Sequence, residues 1–199
     1  MNELSNQPKL RPTTQAAEGA PRLRWTLAEF ERLTELGIFT EDDRIELIGG
    51  ELVPMSPKGN RHELVRDELM NWIMRRLPGA VRLSSEIGWR PNATCYLEPD
   101  LLVSPEGFKG VTVPGTEVLL AIEVADSSLK FDSTTKAKTY ASLGVREYWV
   151  VDAKTLVATV HSEPSSDGYN SVTIVAPSDA LSPNLVPALA LKLTDLPLD

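Results

Sequence analysis

Apolar residues fall along this chain in two rhythms, helical spacing and short continuous runs, and each change of rhythm marks an element. Leu27, Phe30, Leu33 and Leu36 recur at every third position after Thr26. Glu29 stands three residues beyond that threonine, so a capping box opens a short amphipathic helix that Gly37 closes. Residues 44–48 and 51–55 flank Gly49-Gly50, a pair that readily takes the positive φ angles of a tight turn, which predicts a β-hairpin. Val65, Leu69, Trp72, Ile73 and Leu77 share one helical face, and Pro78-Gly79 ends that second helix.

Three apolar runs follow, about 80–90, 94–103 and 117–125, separated by Pro91-Asn92 and the loop from Pro105 to Gly115; they are expected as central strands. Ser133 or Asp132 is expected to cap a helix through Leu143, Gly144 to end it, and residues 146–152 to return to strand. The runs 156–161 and 169–175 flank Pro164 to Gly168 and predict another hairpin. Residues 1–21 mix Pro8, Pro12, Gly19 and Pro21 with polar residues and carry no apolar period, so they read as a disordered leader to a single domain over 22–199. The resulting class is α/β, a mixed central sheet flanked by helices with additional hairpins.

Composition narrows the picture. A chain of 199 residues, 42% hydrophobic, is long enough for one well-filled core. Its single cysteine, Cys95, excludes an internal disulfide or a Cys-based zinc site, reads as an inert half-buried thiol, and fits a reducing cytoplasm. No stretch approaches the roughly 18 apolar residues of a membrane span, so a soluble cytoplasmic protein is expected. The net charge of −8 argues against broad attachment to polyanions. Against that, Arg61, Arg66, Arg75 and Arg76 on one helix, and Lys130, Lys136, Lys138 and Arg146 around another, form either a local basic surface or ordinary solvated faces.

Two acids interrupt the apolar runs: Asp100, followed by Leu101-Leu102-Val103, and Glu123, between Ile122 and Val124. A buried unpaired carboxylate costs several kcal/mol, so two of them on neighbouring strands suggest a metal. Paired strands would turn both toward one sheet face, with the backbone carbonyl of Val124 as a further oxygen, and Mg²⁺ suits such hard ligands, with Mn²⁺ as the substitute. Lys136 is expected in the first turn of its helix, where the macrodipole disfavours a cation, and it projects near Tyr140 and Leu143. It either stabilises charge growing on a phosphate or forms a salt bridge with Asp132 or Glu123. Glu46 and His62 are lesser candidates: Glu46 can equally face solvent on an edge hairpin, and His62 can be a polar surface residue. His161 reads as an exposed strand residue. No Gly-x-Ser-x-Gly elbow, phosphate-binding Gly-x-x-x-x-Gly-Lys loop, Gly-x-Gly-x-x-Gly turn or His-Glu-x-x-His pair occurs, and a zinc hydrolase does not fit two distant histidines.

Trp25 to Phe30, Asp43 to Pro57, His62, Glu98 to Leu101, Ile122 to Ser128, Asp132, Lys136, Tyr140 and Gly144 to Asp152 occur in an order and spacing over about 22–175 that resembles the Uma-type restriction endonucleases. These are common in bacteria and a branch of the PD-(D/E)XK nuclease superfamily. The resemblance implies a restriction-endonuclease-like core, a metal-dependent endonuclease acting on DNA, Asp100 and Glu123 as metal-binding acids and Lys136 as catalytic lysine. It adds Glu46 as a further acid and His62 as the recurrent histidine after the hairpin. The superfamily signature would place lysine at position 125, which is Ala125 here, and the Uma-type pattern supplies it from the following helix. The alternative function is a noncatalytic nucleic-acid-binding or regulatory protein retaining the fold; in either case a homodimer or higher homo-oligomer is a natural arrangement.

Overall fold

A six-stranded and a four-stranded sheet with packed helices make up residues 23–198, those the computed structural model describes; the leader expected over 1–21 lies outside them. The amino-terminal half carries α1 (Leu27–Glu35), the hairpin β1 (Ile45–Ile48) and β2 (Glu51–Pro54), and α2 (Asn60–Met74). Four strands follow: β3 (Val81–Ser85), β4 (Trp89–Asn92), β5 (Cys95–Leu97) and β6 (Leu101–Pro105). After β7 (Leu120–Ala125) a continuous helical segment runs through α3 (Leu129–Phe131), a π turn (Asp132–Lys136) and α4 (Ala137–Ser142). The chain then forms β8 (Glu147–Asp152) and the long hairpin β9 (Ala158–Ser165) and β10 (Gly168–Val175).

The large sheet has the order β10-β9-β8-β7-β6-β3, antiparallel except for β7 beside β8. That parallel pair needs a crossover, and the helical segment supplies it. The expected α/β class with a mixed central sheet is therefore what the chain adopts. β7 is buried at every position and β8 at all but its last, as two-sided coverage demands. One face, including Leu101, Ile122, Val124 and Trp149, packs on Val65, Leu69 and Ile73 of α2 and on the carboxy-terminal leucines. The other, including Leu102, Ala121, Tyr148 and Val150, packs on Ala137 and Tyr140 of α4 and on Trp89 and Leu97 of the small sheet. Each of the valines, leucines and isoleucines among them contributes roughly 1.5–3 kcal/mol when fully buried.

Several sequence expectations hold and several are corrected. The Thr26–Glu29 capping box is formed, and Gly49 and Gly50 turn the first hairpin at φ 58° and 87°. The runs 80–90 and 94–103, however, each break into two strands in different sheets. Glu86 at φ 50° turns the chain after β3, and Pro99, which has no N–H for a ladder, separates β5 from β6. The crossover helix begins at Leu129, so neither Asp132 nor Ser133 caps it. Gly144 does end it, at φ 81°. His161 is buried, not exposed, stacked on Tyr148 at 5.5 Å between ring centroids. Cys95 is fully rather than half buried.

Candidate active site

The alternation of β6 and β7 explains how two acids come to share a face. Leu101 pairs with Ile122 and Leu102 with Ala121, so continuing the register by one residue sets Asp100 across from Glu123, on the α4 side of the sheet. Burial there is nearly complete, 3% exposure for Asp100 and 5% for Glu123. The two acids, together with Val124, Glu46, His62 and Lys136, line one cavity of about 250 Å³.

Glu46 is not on an edge. β1 lies between β2 and β5, and the Glu46 carboxylate is buried, accepting the Glu98 N–H at 2.9 Å on Oε1 and meeting Lys136 Nζ at 3.1 Å on Oε2. His62 is not on the surface either: Nε2 lies 3.1 Å from Asp100 Oδ2. A carboxylate only accepts, so Nε2 is the donor in this contact. Lys136 lies well inside the helical segment, not in its first turn, and the dipole argument for it falls. What holds it is a pair of carboxylates, Glu46 and, at 3.0 Å, Glu123 Oε1. Asp132, Lys136 and Tyr140 follow one another at four-residue spacing through the π turn, and all three are buried. Such turns concentrate at functional sites.

Charge is distributed unevenly within this cluster. Around Asp100, burial would push the carboxyl up, but His62, Lys58 and the Val124 N–H hold it below the usual range. Lys58 Nζ stands 3.3 Å from Asp100 Oδ1 and also pairs with Glu86; Val124 N–H donates to Oδ2 at 2.8 Å. Around Glu123, burial dominates and pushes the carboxyl well up; Asp100, Asp132 and Glu46 add to it, against Lys136. Burial also raises Asp132. For Lys136, burial works against the ammonium, yet Glu123, Glu46 and Asp132 outweigh it and keep the lysine protonated. Both hydrogen bonds to Glu123, from Lys136 Nζ and from Tyr140 Oη at 2.9 Å, fall on Oε1. Tyr140 is itself fixed by stacking between Trp89 and Tyr148.

Among the described residues, six acids line the cavity against Arg44, Lys58, Lys136 and His62, and both hydrogen bonds to Glu123 leave its second oxygen free of them. That donor set fits a hard cation held by carboxylate oxygens, although among the described residues no three His, Cys, Asp or Glu side chains already surround a common point. Val124 enters so far through its N–H rather than its carbonyl. Sequence reasoning missed Lys58, hidden in a Ser-Pro-Lys-Gly-Asn loop that reads as exposed. It also missed the bond from Tyr140 to Glu123, which four-residue spacing from Lys136 signals. Two of the four helix arginines are engaged internally, Arg66 with Glu63, Asp67 and Glu86 and Arg61 with the carbonyls of Ala153 and Leu198, whereas Arg75 and Arg76 are exposed at the end of α2, Arg76 over the Trp72 ring.

A family profile described as "Putative restriction endonuclease", Uma2, matches residues 27–194. The chain belongs to the Uma2 family. The match spans every residue of the cavity, from Arg44 to Lys136, and Tyr140 behind it. A crystal structure from Anabaena variabilis, described as "a putative nuclease belonging to DUF820", superposes with a TM-score of 0.67 at 15% identity, covering 82% of this chain and 95% of that one. At that identity it speaks for the fold, which this Uma2 protein shares. No curated protein matches. None of the helices among the described residues is long and apolar enough to cross a membrane.

Proposed function

We propose that this Uma2 protein hydrolyses phosphodiester bonds of DNA with a divalent metal ion, Mg²⁺ or Mn²⁺, in the cavity around Asp100, Glu123 and Lys136. One observation carries the proposal: a carboxylate on β7, another immediately before β6 and a lysine displaced onto the next helix are all buried and line one cavity richer in acids than in bases. Burying so much charge costs stability that apolar side chains would not, which points to use rather than folding. Asp100 and Glu123 would hold the ion, with the Val124 carbonyl as a third oxygen. When bound, the ion supplies Lewis acidity toward the phosphate and a lowered pKa for an attacking water.

The chain's own side chains have separable tasks. Lys136 Nζ presents a fixed ammonium to the charge growing on the phosphate oxygens and needs no deprotonation to do so. Glu46, anchored by the Glu98 N–H, and Glu123 aim that ammonium. His62 orients Asp100 and Tyr140 orients Glu123, as supporting partners of ligating groups commonly do. The proposal extends to one domain over 22–199, a cytoplasmic location, and a homodimer or higher homo-oligomer that addresses both DNA strands.

Cleavage of plasmid DNA tests it. The purified chain should cut with Mg²⁺ and stop with a chelator, and Asp100→Ala, Glu123→Ala and Lys136→Ala should each lower the rate by about 100-fold or more. Activity surviving in all three variants overturns the assignment. A second reading, a nucleic-acid-binding or regulatory protein without catalysis, draws on the fact that Lys58, His62 and the Val124 N–H already satisfy Asp100. Folded protein that binds DNA but cuts neither DNA nor RNA with either ion selects that reading.

A further inference from the structure

We propose that Arg44 grips a backbone phosphate of the DNA strand next to the scissile one, at the mouth where the catalytic cavity opens into a neighbouring groove. The inference rests on the nuclease reading of that cavity. The groove, of about 1010 Å³, is walled by residues of α1, α2 and the small sheet, and Arg44, Lys58 and Glu98 belong to both walls.

Pairing sets Arg44 apart. Lys58 is engaged by Glu86 and Asp100, Arg66 by Glu63, Asp67 and Glu86, Arg90 by Glu31, Lys136 by Glu46 and Glu123, and His62 by Asp100. These contacts also neutralise much of the groove's acidic lining. Of the cations lining either hollow, Arg44 is the one with no carboxylate partner among the described residues. A half-buried guanidinium gives up hydration, and without an internal anion it gains nothing in return unless a ligand brings one.

The backbone at this position makes an independent point. Arg44 lies at φ 44°, ψ 73°, a left-handed conformation that glycine or asparagine adopts at lower cost than arginine. Neighbouring bonds enforce it: the Met55 N–H donates to the Arg44 carbonyl at 2.8 Å, and the turn before it is closed by Thr40 N–H on Asp43 Oδ2. A residue ill-suited to its backbone, with a side chain that has no partner among the described residues, is placed there for what the guanidinium binds. Its planar fork of donors matches two phosphate oxygens at once, and it stands two residues before Glu46, which holds Lys136.

Arg44→Gly and Arg44→Asn remove the charge while suiting the left-handed backbone, so folding and binding separate. On a linear DNA duplex with Mg²⁺, both variants should raise KM by about tenfold, more than they lower kcat. They should also make the slope of log KM against log salt shallower by about one. Their thermal midpoints should equal or exceed that of the parent, which a merely structural role would not allow. Arg44→Lys should recover part of the salt dependence. An active parent with Gly and Asn variants unchanged in KM and salt slope overturns the phosphate contact alone. A parent inert on DNA overturns the nuclease reading instead.

Discussion

The two halves of the cavity hold the same chemical group in opposite electrostatic settings. Asp100 is surrounded by donors and cations, Lys58, His62 and the Val124 N–H, and its carboxyl is held low. Glu123, across the register from it, has one ammonium and one phenol, both on Oε1, while burial and three further acids push its carboxyl up. One half is satisfied and the other is short of positive charge. Carboxylate pairs whose environments are driven apart are the usual mark of divided roles in a site. Under the proposed metal-dependent reading, an added cation would sit on the Glu123 side, with Asp100 oriented to share it.

Removing the lysine should break the comparison most severely. Lys136→Met leaves Glu46 and Glu123 buried without their shared ammonium and should cost about 3–5 kcal/mol, read as a lower urea midpoint at neutral pH. Adding Glu123→Gln to it should restore part of that loss, a coupling that a double-mutant cycle measures. A loss under about 1 kcal/mol would mean the pair behaves as an exposed salt bridge.

A smaller effect sharpens the contrast through pH. Glu123 has a raised folded pKa, so the folded state holds the extra proton: its contribution is full below the ordinary Glu range and is lost as pH rises toward the folded value. Asp100 has a lowered folded pKa, so its contribution is present above the ordinary Asp range and is lost as pH falls through the folded value. In unfolding titrations Glu123→Gln should flatten the decline of stability on the alkaline side, and Asp100→Asn should flatten the decline on the acid side. Identical profiles for the two variants would erase the distinction.

The sequence made one half of this arrangement easier to read than the other. Asp100 and Glu123 stand out because each interrupts an apolar run, and strand register then does the rest. The dipole conflict that the sequence suggests for Lys136 does not exist, since the helix begins at Leu129. The face that this lysine shares with Tyr140 is the part of the sequence argument that leads to the cavity, which Lys136 lines. Glu46 is ambiguous because its burial depends on a second sheet, which the reading of 94–103 as one strand hides; His62 is ambiguous because its partner, Asp100, lies 38 residues away. Pro99 was the signal of the break. The burial of His161 is hidden for a related reason: alternation along β9 shows which residues share a face but not that Tyr148 and Tyr169 cover it. Lys58 gave no signal at all, since nothing local ties a loop lysine to an acid 42 residues away.

Titration of Mn²⁺ into the metal-free protein, followed by the loss of the free-ion paramagnetic signal, tests the central claim most directly. The parent should bind the ion in the absence of DNA, more tightly as pH rises and frees Glu123 of its proton, and Glu123→Gln should weaken binding by about tenfold or more. No binding by the folded parent, or equal binding by Glu123→Gln, would contradict the account.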